Sequence, residues 1–440
     1  MMGHRCGRYV EPGPGTDLLG IGAAGIDHVF AADGPLHRIH PPFAVGLALN
    51  VRNPAPADDP ATQLPRPLGQ REGGAGRIDV AGAPVRTLDA RYYTDPAVYE
   101  NEKAGLLSRT WQFTGHVAAL QNSGDYFSFE VAGENLFCIR GKDGAVRTFY
   151  NVCQHRAHEL VSGEGSCKAI VCPYHAWTYD FDGSLRAGPN IKSGPGLNRE
   201  DIRLTEVRTE IFCGFLFVNL DPDADPMADW FPGVEEELRA FVPQIDDLAP
   251  LEWVAVQEKC NWKISIENYS ECYHCAINHP TFVSGVVNPN TYDIQPQGHC
   301  LRHTTQCQNL DRMSYAIDLE ANEHAGDYSS WFLWPAFSFQ VYPGNVLNTY
   351  HWRPETVDRV TVWRGWYTEG GVDSDVVRRL AQQDRGTTVE EDLHLVESVQ
   401  RGLGSRGYRT GPLVIDPKGG VKSEHSILAL QTWFREAYDG

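Results

Sequence analysis

The segment that decides the fold is NVCQHRAHELVSGEGSCKAIVCPYHAWTYD, which spans residues 151–180. It contains two Cys/His pairs, Cys153-x-His155 and Cys172-x-x-His175, separated by 16 residues. Two thiolates and two imidazoles can hold either zinc or a [2Fe–2S] cluster in which histidines replace cysteines on one iron. One residue separates the two ligands of the first pair, whereas about two to four residues separate paired cysteines in common zinc fingers. The spacing therefore favours the iron–sulfur cluster, with a zinc ribbon as the alternative.

The sequence around these pairs predicts a small antiparallel β domain over residues 111–222. Short runs of β-forming residues alternate with turns there, and Asp143-Gly144 and Asp182-Gly183 are hairpin signals because glycine supplies the positive φ of a tight turn. His158 and Cys167 lie between the ligand positions but off their spacing. We interpret both as loop residues.

The C-x-H and C-x-x-H spacing resembles the motif of the Rieske proteins, and Tyr174 and Trp177 in CPYHAWTY strengthen the likeness. The resemblance implies that the two cysteines and two histidines hold a [2Fe–2S] cluster. Neutral histidines in place of thiolates raise the reduction potential of such a cluster, so that it can accept electrons from an ordinary reductase.

A second constellation, NWKISIENYSECYHCAINHPTF, occupies residues 261–282. A continuous helix would place Glu271, His274 and Asn278 on one face, at i, i+3 and i+7. The residue before Pro280 is pushed out of the helical region, so the helix should end there and let His279 turn back. Two histidines plus a carboxylate form the facial triad of non-haem Fe(II) oxygenases.

The carboxylate is sought in the predicted helix that begins near residue 390. One stripe of this helix is apolar except for its first residue and consists of Asp392, Val396, Val399 and Leu403. A carboxylate at the start of an apolar face implies a buried partner, so we predict Asp392 as the third ligand. The alternative, an exposed acid stabilised by the helix dipole, suits Glu390 and Glu391.

This second motif resembles the catalytic domain of the Rieske oxygenases, the ring-hydroxylating oxygenase α subunits, and the likeness covers about residues 88–440. The resemblance implies that His274, His279 and Asp392 bind a mononuclear Fe(II). It also implies that Glu271 connects this site to the Rieske ligand His175 of a neighbouring subunit, and hence that the protein is a homotrimer.

Glu271 indicates the branch of the family, because most members that act on aromatic rings carry Asp at this bridge. The ECYHC context and the segment EEDLHLVESVQRGLGSRGYR resemble the quaternary-ammonium branch, which acts on carnitine, stachydrine and glycine betaine. That likeness implies a monooxygenase that hydroxylates a C–H next to the nitrogen of a cationic amine, causing N-demethylation or C–N cleavage. The reaction would use O2 and electrons passed from NADH through a separate reductase. A Rieske oxygenase of aromatic rings or aryl ethers, and a non-catalytic Rieske electron carrier, remain alternatives.

A quaternary ammonium has no N–H and no lone pair, so its recognition depends on aromatic faces and carboxylates. The aromatic-rich block 331–352 contains enough rings for a cage, although such a block is usually core. The candidate substrate-binding residues are Trp331, Trp334, Phe339 and Tyr342. Cys272-x-x-Cys275 is typical of a redox pair, but we interpret it as packing around the iron.

Composition sets the wider limits. The chain has 440 residues and a formal charge of −19, which mildly favours a cationic substrate and argues against a nucleic-acid partner. No apolar run is long enough to span a bilayer, so no membrane association is expected. Eleven cysteines without the density of a disulfide scaffold indicate a reducing compartment and a cytoplasmic protein.

The organisation predicted from these patterns is α+β. Residues 1–85 are rich in Gly, Pro and Ala and are predicted to be a flexible extension; a glycine motif at 20–25 lacks the preceding strand that nicotinamide binding requires. Residues 86–110 are predicted to contribute a helix to the catalytic domain, and the Rieske domain follows at 111–222. Residues 223–440 are predicted to form an antiparallel sheet flanked by helices, which carries the mononuclear iron.

Overall fold

The computed structural model describes residues 84–439. The predictions for the extension and for the glycine motif at 20–25 therefore lie outside the described residues, except at positions 84 and 85. The described chain begins with two short helices, α1 (Arg91–Thr94) and α2 (Pro96–Asn101). Asp95 caps α2 by accepting a hydrogen bond from the Ala97 amide, as expected for the residue before a first-turn proline.

The region between the helical start and residue 222 consists of short antiparallel strands. They are β1 (Gln112–His116), β2 (Asp125–Val131), β3 (Glu134–Arg140), β4 (Val146–Tyr150), β5 (Glu164–Ser166), β6 (Ile170–Val171), β7 (Thr178–Tyr179), β8 (Leu185–Ala187), β9 (Glu206–Phe212) and β10 (Phe215–Asn219). One sheet has the order β1-β10-β9-β4-β3-β2-β5, and a smaller one has the order β6-β7-β8. The antiparallel β domain predicted from the turn signals is confirmed.

The remainder is a second antiparallel sheet with helices around it. Its helices are α3 (Met227–Trp230), α4 (Val234–Phe241), α5 (Trp262–Tyr269), α6 (Cys275–Asn278), α7 (Pro280–Gly285), α8 (Asp375–Asp384), α9 (Glu390–Leu403) and α10 (His425–Asp439). Its strands are β11 (Leu248–Glu258), β12 (Asp293–Gln297), β13 (Cys300–Gln306), β14 (Asp327–Leu333), β15 (Phe337–Tyr342), β16 (Val346–Thr356) and β17 (Arg359–Glu369), in the order β11-β17-β16-β15-β14-β13-β12. The predicted α+β class is confirmed. Within the described residues, every helix is too short or too polar to cross a membrane.

The two faces of this second sheet have different neighbours. On β15, Phe337 and Phe339 face the first sheet, where their rings lie 4.6 Å from Phe113 and 4.8 Å from Phe215. Residues of the other parity on the central strands face α5, whose Tyr269 ring lies 5.3 Å from that of Tyr350. Because side chains alternate across a strand, the first face forms the core and the second is free to form a site.

The continuous helix predicted through the motif at 261–282, ending before Pro280, is interrupted. Helix α5 ends at Tyr269, the chain turns, and α6 begins only after His274. The Glu271 carboxylate accepts hydrogen bonds from the backbone amides of Tyr273 and His274, so it caps the new turn. The prediction of one helical face shared by Glu271 and His274 was therefore wrong, although the two side chains do meet.

Candidate metal centres and active-site cavity

Two turns of the same design carry the first set of predicted ligands. Cys153 N donates to the carbonyl five residues later, and Ala157 N donates to the Cys153 carbonyl; Cys172 and Ala176 repeat both bonds. Ala157 and Ala176 each have a positive φ, at 56° and 58°. These matched tight turns hold the two Cys/His pairs at the end of the small β domain.

The thiols of this site point inward and the imidazoles outward. Cys153 and Cys172 are each 2% exposed, and the two thiols contact each other. The His155 and His175 rings lie 4.7 Å apart at the surface. Burial raises the pKa of Cys172, and backbone amides of the second turn, which donate to its Sγ, partly oppose that effect. Two buried sulfurs and two adjacent imidazoles fit a [2Fe–2S] cluster with Cys ligands on one iron and His ligands on the other.

The second predicted set converges at the helix break. Nitrogen Nε2 of His274 lies 3.0 Å from Nε2 of His279, and the latter lies 3.0 Å from Asp392 Oδ1. His274 comes from the turn before α6, and His279 from the residue before Pro280, whose φ and ψ of −118° and 65° are outside the helical region as predicted. Asp392 comes from the first turn of α9. The potential ligand atoms of the three side chains all lie within 4.8 Å of one another.

The hydrogen bonds of the two Nδ1 atoms indicate what the Nε2 atoms of His274 and His279 can bind. His274 Nδ1 lies 2.5 Å from a Glu271 oxygen and His279 Nδ1 lies 2.8 Å from a Glu391 oxygen. A carboxylate accepts, so each Nδ1 carries the hydrogen and each Nε2 presents a lone pair. Asp392 Oδ1 is buried and has no hydrogen-bond partner within the described residues. Two lone pairs and a carboxylate oxygen at this separation fit a divalent metal ion of the facial-triad type.

The charges at this site also favour a cation. Burial lowers the pKa of His274, but Asp392 and Glu271 outweigh that effect and raise its pKa to about 10. Burial raises the pKa of Asp392, and its two histidine neighbours more than compensate and lower it to about 2. The carboxylates therefore hold a positive charge between the imidazoles, which is a proton or a metal ion.

A cavity of about 70 Å³ lies beside the triad. Its aromatic lining residues come from α5, α7, the residue before β12 and the second sheet, and are Tyr269, Phe282, Tyr292, Tyr328, Tyr342 and Tyr350. Glu271 and Asp392 also line it, whereas Lys and Arg are absent from its lining in the described chain. A second cavity of about 140 Å³ adjoins it and shares Phe282, Tyr342 and Thr388.

Only one of the four predicted substrate-binding residues lines this cavity. Tyr342 does, whereas Trp331, Trp334 and Phe339 are at most 1% exposed and belong to the core. The side chains of Trp331 and Phe339 lie on the opposite face of their strands from the residues that line the cavity. Trp334 lies beyond the end of β14, among other aromatic rings. The prediction is corrected for these three: strand alternation turns the rings of Trp331 and Phe339 away from the triad, and Trp334 packs against other aromatic rings beyond the end of its strand.

Two further details differ from the expectations. Cys272 and Cys275, interpreted as packing around the iron, are buried beside the cavity and also form a disulfide, which was not predicted. Val399, assigned to the buried stripe of α9, is 49% exposed. Val396 of the same stripe is buried, and because it lies one helical turn after Asp392 it keeps that side of α9 turned inward.

The sequence patterns missed His303, Gln340 and Glu391. His303 and Gln340 line the cavity, and Glu391 holds His279. Strand alternation counted from Tyr342 would have found Gln340 two positions earlier. Nothing local in the sequence distinguishes Glu391 from its exposed neighbour Glu390.

Two family models match the chain. The Rieske [2Fe-2S] domain matches residues 110–207, and the ring hydroxylating alpha subunit (catalytic domain) matches residues 245–440. These matches contain all seven predicted metal ligands.

Individual relatives match most of the chain. The carnitine monooxygenase oxygenase subunit of Escherichia coli (strain K12) is 34% identical over 356 residues, which are 80% of this chain and 94% of that protein. The chloroplastic choline monooxygenase of Spinacia oleracea is 28% identical over 78% of each chain. A crystal structure of the quaternary ammonium Rieske monooxygenase CntA in complex with L-carnitine has a TM-score of 0.70 at 32% identity, covering 80% of this chain and 96% of that one.

Proposed function

Because the chain belongs to the Rieske non-haem iron oxygenases, as the likeness of its motifs predicted, we propose that it hydroxylates a C–H next to the nitrogen of a quaternary or methylated amine. The product would break down to an amine and an aldehyde, which amounts to N-demethylation or C–N cleavage. The co-substrates would be O2 and electrons from NADH, delivered by a separate reductase. When bound, the two cofactors supply electron transfer and dioxygen activation, the chemistry of Rieske clusters and facial-triad iron.

The observation that carries the proposal is the aromatic cavity beside the triad. Rings of Tyr328, Tyr342 and Tyr350 line it, and burial holds the pKa of each well above its ordinary value, so all three are neutral phenols. Their faces attract a quaternary ammonium by about 0.5–2 kcal/mol each. Lys and Arg are absent from the lining in the described residues, so no such side chain repels a cation at these rings.

The triad itself distinguishes the protein from a simple electron carrier. A carrier needs only the site of Cys153 and Cys172, whereas this chain also brings two imidazoles and a carboxylate together next to a cavity. Three protein ligands leave positions open for dioxygen. We therefore prefer an oxygenase to the non-catalytic alternative.

Glu271 is proposed as the bridge between subunits. Its carboxylate holds His274 and is 13% exposed, and the neighbouring Tyr273 and Ile277 are 46% and 85% exposed. The cluster site presents exposed side chains as well, with Tyr174 at 52%. A homotrimer in which the cluster tip of one subunit covers the Glu271 surface of the next would bury both sets of apolar side chains. It would also place His175 of one subunit near Glu271 of its neighbour.

A substrate panel tests this function. The purified protein, with its metals, is incubated with NADH and a surrogate flavin/iron–sulfur reductase, and with carnitine, glycine betaine, choline or naphthalene. We expect oxygen uptake and a product amine or aldehyde from at least one quaternary ammonium. Asp392→Ala serves as the matched control, because it should retain the cluster and lose product formation. Turnover of naphthalene with none of the ammonium compounds would contradict the proposal.

A further inference from the structure

Three side chains form a row across the cavity face of the second sheet. His303 on β13 is paired with Ser330 on β14, which is paired with Gln340 on β15. All three line the cavity. Neighbouring strands lie about 4.8 Å apart, so the outer two backbones are about 10 Å apart. Because the middle side chain is small, the row forms a hollow with a longer polar side chain at each end.

Each end of this hollow carries a buried nitrogen without a partner. His303 and Gln340 are 3% and 2% exposed, and within the described residues neither His303 Nε2 nor Gln340 Nε2 makes a hydrogen bond. Their other polar atoms are satisfied: the Tyr292 hydroxyl lies 3.0 Å from His303 Nδ1, and the Tyr328 hydroxyl donates to Gln340 Oε1 over 3.1 Å. A buried polar atom without a partner is unfavourable, so two of them in one cavity indicate a ligand.

Both nitrogens are donors. Burial lowers the pKa of His303 to about 3, so the imidazole is neutral and carries one hydrogen. When the Tyr292 hydroxyl donates to His303 Nδ1, the hydroxyl hydrogen has an acceptor and the imidazole hydrogen lies on Nε2. If Nδ1 donated to the hydroxyl oxygen instead, the buried hydroxyl hydrogen would have no acceptor. The Gln340 amide approaches the Tyr269 hydroxyl but does not reach hydrogen-bond geometry, so it remains available.

We propose that His303 and Gln340 bind the carboxylate of a zwitterionic substrate whose other end is the quaternary ammonium. This inference rests on the proposed function and narrows its substrate class to betaines. A carboxylate accepts without donating, which suits two donors, whereas the hydroxyl of choline also needs an acceptor. A betaine has no net charge, so neutral donors can hold its carboxylate without a Lys or Arg. The rings of Tyr342 and Tyr350 then face the ammonium.

Calorimetry on the metal-loaded protein without a reductase tests the proposal, because substrate then binds without turnover. L-carnitine and choline are titrated into the wild type and two variants. His303→Phe keeps a ring but removes the donor. Gln340→Glu keeps the acceptor for Tyr328 and puts a negative charge where the substrate carboxylate would lie. Gln306→Glu, an exposed position on the same strand as His303, is the matched charge control.

We expect each variant to weaken carnitine binding about 10- to 100-fold, the range for a lost hydrogen bond to a charged group. Choline binding should change little in His303→Phe and become unchanged or tighter in Gln340→Glu. Gln306→Glu should match the wild type. The Rieske absorption spectrum checks folding, and Gln340→Glu keeps the test valid if the other variant does not fold. Variants that alter both ligands equally would overturn this inference alone. A wild type that binds neither ligand would overturn the proposed function as well.

Discussion

Removing the Glu391 carboxylate should weaken the mononuclear iron site without touching its ligands. Glu391 Oε2 lies 2.8 Å from His279 Nδ1, and the imidazole is almost fully buried with 3% of its side chain exposed. The carboxylate fixes the hydrogen on Nδ1 and aims the Nε2 lone pair at the site. Loss of such a partner typically costs 10- to 100-fold in metal affinity, or about 1.4–2.7 kcal/mol.

The structure places the expected effect within that range. The Glu391 side chain is 28% exposed, so water can partly replace it, and we expect about 10-fold for Glu391→Ala. Glu391→Gln should lose less, about threefold, because its carbonyl oxygen still accepts from Nδ1–H although the charge is gone. Glu390→Ala removes the same charge from the adjacent exposed residue and is the matched control.

The assay is an anaerobic Fe(II) competition against a chromogenic chelator. The protein is first stripped of mononuclear iron, and the absorption of the Rieske cluster counts folded molecules in each sample. An Fe(II) affinity for Glu391→Ala equal to that of Glu390→Ala would refute the reasoning. It would show that packing alone orients His279.

Three further predictions concern the metals and stability. Asp392→Ala should lose the mononuclear iron and keep the absorption of the cluster, whereas Cys153→Ser should lose the cluster and keep the mononuclear iron. Metal analysis and the visible spectrum check both variants. Loss of both metals in either variant would contradict two independent sites. Glu271→Gln should retain both metals yet lose about 10-fold or more of its NADH-driven turnover, and unchanged turnover would argue against the bridge. Burial raises the pKa of Glu267 from 4.5 to about 7, although hydrogen bonds from Tyr93 and Gln431 oppose this shift. Between pH 4.5 and 7 the folded state therefore keeps a proton on Glu267 that the unfolded state has lost. The free energy of unfolding should therefore fall by up to about 3 kcal/mol as pH rises from 4.5 to 7, and denaturant titrations of Glu267→Gln should lack this slope.

The positions of the proposed metal ligands were predictable from the sequence because their chemistry is local. The pairs around Cys153 and Cys172 each occupy one turn, and the effect of Pro280 on His279 is a property of neighbouring residues. The helix break before His274 was not predictable in this way. It depends on a carboxylate, Glu271, that both caps the new turn and holds an imidazole, and a helical pattern does not reveal such competition.

The proposed substrate site was less predictable because it is assembled across strands. A run of aromatic residues gives no sign of which parity faces the core, and the choice is made by contacts such as that of Phe339 with Phe215 of the first sheet. Once that contact is known, period-two alternation assigns Tyr342 and Gln340 to the other face. His303 requires a further step, because only the register through Ser330 places it on the same row.

The proposed selectivity for a quaternary ammonium must come from this local face rather than from the charge of the whole chain. A net charge of −19 attracts every cation, including small hydrated metal ions. Small ions lose much of their hydration on entering a cavity lined by rings, and neutral phenols such as Tyr342 and Tyr350 repay that loss poorly. A trimethylammonium group is large and weakly hydrated, so it enters at little cost and contacts several ring faces at once. The neutral donors of His303 and Gln340 add to this selectivity, because they stabilise a carboxylate without placing a fixed positive charge next to the ammonium.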